Sequence, residues 1–205
     1  MRNFLVFIGV TLMLSIVLNY IFNDDYLYFE FYGNKFSYER ILELINQQKK
    51  WQWIGYVTLP LIYLLRFLII TCVLLMGSFI AGYKVKFREV FDVTITSEYI
   101  FLVLPIIKLL WFGFILQDYT LIDLIKFSPF SLNSVFDLSE SIHWLDPLMK
   151  SVSLFEVTYW LLLGYGMCKI LNRPFSKAIG LVVASYGSTW VVWQVFIVFL
   201  MINLT

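Results

Sequence analysis

Apolar residues run along this chain in unbroken blocks rather than in stripes. The first block, "FLVFIGVTLMLSIVLNYIF", occupies residues 4–22 and carries no charged residue. A helix that is apolar all round belongs in a protein core or in lipid. Crossing the hydrocarbon of a bilayer takes about 20 such residues. Five stretches meet that length, at about 4–22, 60–82, 98–116, 153–171 and 177–204. The pattern predicts an all-α, polytopic helical membrane protein. Its five transmembrane helices would form a single integral membrane domain over residues 1–205, with outer loops at 23–59 and 117–152. Arg2 before the first block invites a signal-peptide reading. The apolar run is too long for that, and "NDDYLYFEF" follows without a small-residue cleavage site. The block reads as a retained anchor.

The polar segments refine the picture. "YKVKFREVFDVTITS" and "NRPFSK" are short and basic, whereas the two outer loops are longer and mostly acidic. Basic residues favour the cytoplasmic side. An inside N-terminus puts Arg2, Lys84, Lys86, Arg88, Lys169, Arg173 and Lys177 in the cytoplasm. It leaves Lys35, Arg40, Lys49, Lys50, Lys126 and Lys150 outside, seven against six. The expected topology is therefore N-in, C-out. Trp51 and Trp53 suit the membrane interface. Pro60 suits a first helical turn, and Pro105 a kink. In "SYERILELINQQKK", Ile41, Leu44 and Ile45 recur at helical spacing. Two readings stay open there: an amphipathic helix lying on the membrane, or a loop helix packed on the protein. "SPFSL" and "LDP" mark turns in the second outer loop, which re-enters or caps the helices.

A weak repeat is also visible. "LLMGSFIAGYKVKFREVF" and "LLLGYGMCKILNRPFSKAI" each run from Leu-Leu-x-Gly through a basic turn to a phenylalanine, Phe87 or Phe175. It describes either two similar hairpins behind a separate first helix or a chance likeness between apolar segments.

Composition agrees with the blocks. Hydrophobic residues make up 60% of the 205, against about 45–50% in soluble domains, and the mean hydropathy is +0.81. The net charge of +1 gives no reason to expect nucleic acid. Cys72 and Cys168 lie in apolar spans and read as small buried hydrophobes. The single histidine, His143, cannot make a zinc site or a relay. No cofactor is expected. "SYGST" around Ser188 lacks a histidine in any span, and no phosphate loop, paired-carboxylate motif or HExxH occurs. The expectation is that the protein is not an enzyme. "GYG" at 164–166 sits in a full helix rather than a re-entrant filter loop. The sequon at Asn203 lies against the membrane.

The candidate chemistry lies in three intramembrane charges, Arg66, Lys108 and Glu156. Each costs about 2.5–3.5 kcal/mol on insertion scales unless it finds a partner. On the expected topology Arg66 and Glu156 lie at similar depth with opposite sign, which predicts an interhelical ion pair. The other reading is a proton or ion relay with Lys108, whose ammonium otherwise satisfies a carbonyl freed near Pro105 or reaches a neighbouring helix. Small residues form a second constellation for helix packing. Gly180, Ala184 and Ser188 recur every four residues, Gly77 and Ala81 sit four apart, and Gly164 and Gly166 flank Tyr165.

Two stretches, "GSFIAGYKVKFREVFDVTITSEYIFLVLPI" at 77–106 and "PLMKSVSLFEVTYWLLLGYGMCKILNRPFSKAIGLVVASYG" at 147–187, carry a resemblance. With the five-span plan, the chain resembles the Yip family of Ypt-interacting membrane proteins, and its short bacterial members most. Eukaryotic members carry a long cytosolic N-terminal region with an Asp-Leu-Tyr-Gly-Pro element and bind prenylated small GTPases. Here only "MRN" precedes the first span, so no residue carries over as a GTPase contact. The resemblance implies a non-enzymatic protein of a bacterial inner membrane. The expected function is a scaffold or accessory subunit whose partners are the lipid bilayer and other membrane proteins, in a larger complex. The alternative is a small transporter or permease-like subunit using Arg66, Lys108 and Glu156. Reporter fusions test the orientation: those after Lys86 and Asn172 should read cytoplasmic, and those after Asn34 and Ser134 external. The reverse pattern would invert the topology.

Overall fold

The computed structural model describes residues 2–22, 24–116, 118–132, 134 and 146–204. His143 and Thr205 lie outside them. The described residues are helical, with no strand among them, and five helical stretches are long and apolar enough to cross a membrane. These are Arg2–Phe22, Tyr38–Ile80, Phe87–Ile115, Leu154–Leu171 and Phe175–Asn203. At most 33% of any span's most apolar window is buried inside the protein. So much outward-facing apolar surface needs lipid around it. The protein is an all-α polytopic membrane protein.

The elements are α1 (Arg2–Phe22), α2 (Asp25–Tyr32), α3 (Tyr38–Ile80) and α4 (Phe87–Glu98). A 3₁₀ turn (Tyr99–Leu102), α5 (Val103–Leu110), a π-helical turn (Trp111–Ile115) and α6 (Leu121–Lys126) follow. Then come α7 (Asp146–Ser151), α8 (Leu154–Leu171), α9 (Phe175–Val182), a second π-helical turn (Val183–Gly187) and α10 (Ser188–Leu204).

Two boundaries differ from the expected ones. The 38–50 segment is no separate helix: it runs without a break into the second span, making α3 43 residues long. Pro60 therefore lies inside α3 rather than at its start. Pro105 does sit in a first turn, that of α5, directly after the 3₁₀ turn. The third span begins at Phe87, not Glu98, because "FREVFDVTITSE" is helical. Its polar residues made it look like loop, yet Val90, Thr94, Ile95, Ser97 and Glu98 form its buried side.

The chain forms two compact units. The first comprises Met1–Leu64 and Leu102–Phe127. There Phe7 meets Tyr63 edge-on at 5.1 Å. Phe22, Leu27, Phe112 and Leu124 make a small core, with Phe112 against Phe127 at 5.0 Å and Tyr119 at 5.2 Å. Ile41 and Ile45 are buried, so this stretch of α3 packs on protein rather than lying free on the membrane. Lys49 pairs with Asp25 at 2.8 Å. Trp51 and Trp53 are exposed. Thr120 and Asp123 cap α6 reciprocally. The Thr120 backbone N–H and hydroxyl hold the Asp123 carboxyl below the usual carboxylate range.

The second unit comprises Leu65–Phe101 and Ser128–Thr205. Its core gathers Ile70, Leu74, Val90, Tyr159, Leu163, Met167, Ala178 and Val182. Two hairpins of the same plan build it. Helix α3 stops at Gly82, φ +79°, with the Tyr83 N–H on the Ser78 carbonyl and the Gly82 N–H on that of Phe79. This is a Schellman stop, which needs a left-handed residue. Helix α8 stops at Asn172, φ 50°, with the Asn172 and Arg173 N–H groups on the Cys168 carbonyl. After each basic turn the helix restarts on the phenylalanine of the sequence repeat, Phe87 or Phe175. The second outer loop lies across the start of α8: Leu132 N–H bonds the Val152 carbonyl and Leu154 N–H bonds that of Phe130, both at 3.0 Å. Cys72 is exposed rather than buried, and Cys168 is half-buried.

Glycines set the close approaches. A Cβ on Gly164 would come within 2.8 Å of Ile179 on α9. One on Gly166 would fall on the Val93 side chain of α4. The glycines flanking Tyr165 thus seat α8 against two neighbours. Gly166→Ala should lower stability in detergent by about 1–3 kcal/mol, the usual cost of overpacking. Adding Val93→Ala should return part of it. Thermal unfolding checks this, and equal stability of Gly166→Ala and wild type would remove the contact from the account.

Candidate functional site

The second unit holds a cluster of charged and polar side chains drawn from several helices. Glu98 ends α4, eleven residues after Phe87, and its side chain is 0% exposed. Its Oε1 lies 3.0 Å from an Arg66 guanidinium nitrogen on α3. The guanidinium also sits 5.2 Å from the centre of the Phe101 ring, a cation–π contact that desolvation strengthens. Arg66 keeps 41% of its side chain exposed, so it bridges the buried carboxylate and the protein's surface.

Glu156 lies one turn into α8, where the Ser153 hydroxyl caps its backbone N–H at 3.2 Å. Its Oε1 accepts from the Trp160 indole N–H at 2.8 Å and from the Tyr186 hydroxyl at 2.9 Å. Trp160 stands one turn further along the same helix, and Tyr186 comes from the second π-helical turn. Tyr159, fully buried, meets the Tyr186 ring at 5.5 Å and the Phe101 ring at 5.3 Å. Its hydroxyl lies beside the Glu98 carboxylate. The two carboxylates, the guanidinium and both phenols interact as one electrostatic group. Nearby, the Thr71 hydroxyl lies 3.3 Å from that of Thr94, again joining α3 to α4.

The expected Arg66–Glu156 ion pair is not the one formed. Arg66 pairs with Glu98, and Glu156 takes an indole and a phenol instead. The reason is the early start of the third span. A boundary at Glu98 would leave that residue at the membrane surface, whereas a helix from Phe87 carries it into the span. Lys108 belongs to the first unit, where its ammonium donates to the Leu124 carbonyl of α6 at 2.8 Å. It thus satisfies a carbonyl on another helix.

Glu98 and Tyr186 had a signal in the repeat. Arg66 and Glu156 each lie sixteen residues before the left-handed stop of their hairpin, Gly82 or Asn172. Glu98 and Tyr186 each lie eleven residues after Phe87 or Phe175. Each hairpin therefore contributes one charge on its descending helix and one polar partner on its ascending helix.

The small residues form a separate feature, a groove of about 600 Å³ lined by Gly77, Ala81, Gly180, Ala184 and Ser188 among others. Its floor is tight, since a Cβ on Gly77 would come within 2.5 Å of the Ser185 Cβ. A Cβ on Gly180 would meet nothing within 4 Å. Gly180 therefore faces open space rather than a helix of its own chain. The hydroxyls are already bonded: Ser185 donates to the Leu181 carbonyl, Ser188 to that of Ala184 and Thr189 to that of Ser185. No group of three or more metal-ligating side chains occurs among the described residues.

The chain matches no protein-family model, no curated protein and no solved structure.

Tyr186→Phe removes one of two donors from a buried carboxylate. It should lower stability by about 1.5–3 kcal/mol, the range for a hydrogen bond to a charged group. In a Glu156→Gln background the same change should cost clearly less. Equal costs in both backgrounds, measured by unfolding in detergent, would mean that the bond contributes nothing.

Proposed function

We propose that the protein is a non-enzymatic membrane scaffold or accessory subunit that binds another membrane protein through a transmembrane helix. The groove carries this reading. In lipid, helices associate through close packing of small residues rather than through a hydrophobic drive. A groove lined by Gly77, Ala81, Gly180, Ala184 and Ser188 offers that surface without an internal occupant at Gly180. The hydroxyls of Ser185, Ser188 and Thr189 donate to their own helix, which leaves the small side chains around them free to pack. Such a lining of small residues suits a helix. A Yip-like place in a bacterial inner membrane, N-terminus in the cytoplasm, fits this role, with the partner part of a larger complex.

One observation favours the alternative, a small transporter or permease-like subunit. The Arg66, Glu98 and Glu156 cluster lies where two similar hairpins meet, and transporters place ion sites between repeats. Capture in mild detergent followed by mass spectrometry separates the two. A stoichiometric membrane-protein partner is expected. Gly180→Leu and Ala184→Leu should abolish its capture while folded yield stays at the wild-type level. A protein that purifies alone, and whose liposomes move a solute, would overturn the scaffold in favour of the transporter. Capture unaffected by both groove variants would remove the groove from the interface.

A further inference from the structure

The lining of the groove is asymmetric. It starts beside the two hairpin turns, at Tyr83, Ser176 and Lys177, and ends at Ser188 and Thr189. Lys177 alone among the described lining residues carries a charge. It stands exposed in the first turn of α9, which holds no acidic residue. Other basic residues of the turns have partners within the chain. Lys86 pairs with Glu89 at 3.7 Å, Lys169 lies 4.3 Å from the Tyr165 ring centre, and Arg173 lies 5.9 Å from that of Tyr83. The Lys177 ammonium has none among the described residues. Lys84 and Arg88 lack one as well, but they do not line the groove.

The length of this seam suits a crossing helix. Lys177 to Ser188 spans about 17 Å of helix, roughly three turns. Transmembrane helices packed on small residues cross at about 40°, so they diverge within a few turns. A helix seated against Gly180 and Ala184 therefore lies over Lys177 at one end of the contact. There it takes water from the ammonium, and a charge at the edge of the membrane interior is answered by one of opposite sign. A second copy of this chain does not supply it. Copies share one orientation in the membrane, so a closed pair joined through this face is two-fold symmetric. Such a pair would bring Lys177 to the same depth as its own counterpart, and like charges across an interface repel.

We infer that the partner in the groove is a helix of a different membrane protein, with small residues against Gly180 and Ala184 and an Asp or Glu beside Lys177. The carboxylate lies at the end of the partner's span that shares a membrane face with the hairpin turns. Resting on the reading of the groove as a helix site, this adds the sign of the charge that the partner brings.

Synthetic single-span peptides test it, with the full chain in phosphatidylcholine vesicles, whose lipids carry no net charge. Each peptide is a leucine helix with a Gly-x-x-x-Ala face. It carries Glu, Gln or Lys at both ends of its span, so that either orientation presents the test residue. Binding is read by energy transfer from labelled protein. The Glu peptide should bind about fivefold more tightly than the Gln peptide, the worth of one partly exposed ion pair, and the Lys peptide more weakly than either. The preference should vanish in Lys177→Gln and reverse in Lys177→Glu, and Gly180→Leu should abolish binding of every peptide. Lys177 is exposed and Gly180 has open space beside it, so each variant should fold. Equal binding of all peptides to wild type, lost in Gly180→Leu, would overturn the inference and leave the helix site standing. Binding of none, or binding indifferent to Gly180→Leu, would overturn both. Energy transfer between labelled copies of the chain itself, abolished by Gly180→Leu, would make the occupant a second copy and overturn the inference as well.

Discussion

A charge inside a membrane span has to find its partner within the protein, because lipid offers none. Arg66 is the residue on which this requirement falls hardest in the second unit. Its guanidinium cannot lose its proton, so neutralisation is closed to it. The ion pair with Glu98 and the stacking on Phe101 answer that requirement from one side, that of α4 and the following 3₁₀ turn. The pair also fixes register. Sliding α4 by one residue against α3 would turn Glu98 about 100° away and leave both charges unmatched. The Thr71–Thr94 contact and the Phe67–Phe91 ring contact at 6.4 Å lie along the same seam and keep the same alignment.

The repeat explains how such a cluster can be assembled from two separate stretches of chain. Each hairpin is a helix, a left-handed stop, a basic turn and a helix that restarts on phenylalanine. Equal spacing from those landmarks sets Arg66 in one hairpin where Glu156 stands in the other, and Glu98 where Tyr186 stands. What differs is the side chain at each position. One hairpin closes an ion pair within itself, whereas the other closes a carboxylate–phenol hydrogen bond within itself. Tyr159 and the shared electrostatics then join the two.

Block hydrophobicity made the five spans and the all-α class legible, since lipid imposes length and composition so strictly. The ends of spans were less legible. "FDVTITSE" looks like loop to a hydropathy count, yet half its residues are turned inward, where Thr94 meets Thr71 and Glu98 pairs with Arg66. The misplaced boundary hid Glu98, and with Glu98 hidden Arg66 had only Glu156 to pair with. Of the two contacts open to the Lys108 ammonium, a carbonyl freed near Pro105 or a neighbouring helix, the structure shows the second, at the Leu124 carbonyl. Glycine spacing marked close approaches at Gly77, Gly164 and Gly166, where neighbouring side chains stand where a Cβ would go. It could not show that Gly180 looks onto open space, because sequence carries no record of which face a neighbour leaves uncovered.

The groove and the cluster treat polar groups in opposite ways. In the groove every named hydroxyl is turned back on its own helix, which conceals it from whatever lies there. In the cluster the polar groups turn to one another across helices: Glu98 lies against Arg66 and Tyr159, and Glu156 takes the Tyr186 hydroxyl. The π-helical turn Val183–Gly187 serves both. Ser185 lies on the floor of the groove against Gly77, and the next residue, Tyr186, donates to Glu156. A π turn widens the helix by one residue and is the usual way for adjacent side chains to face sites that regular geometry would separate differently. Adjacent residues of one turn thus tie the packing of the groove, through Ser185, to the hydrogen bonding of the Glu156 carboxylate, through Tyr186.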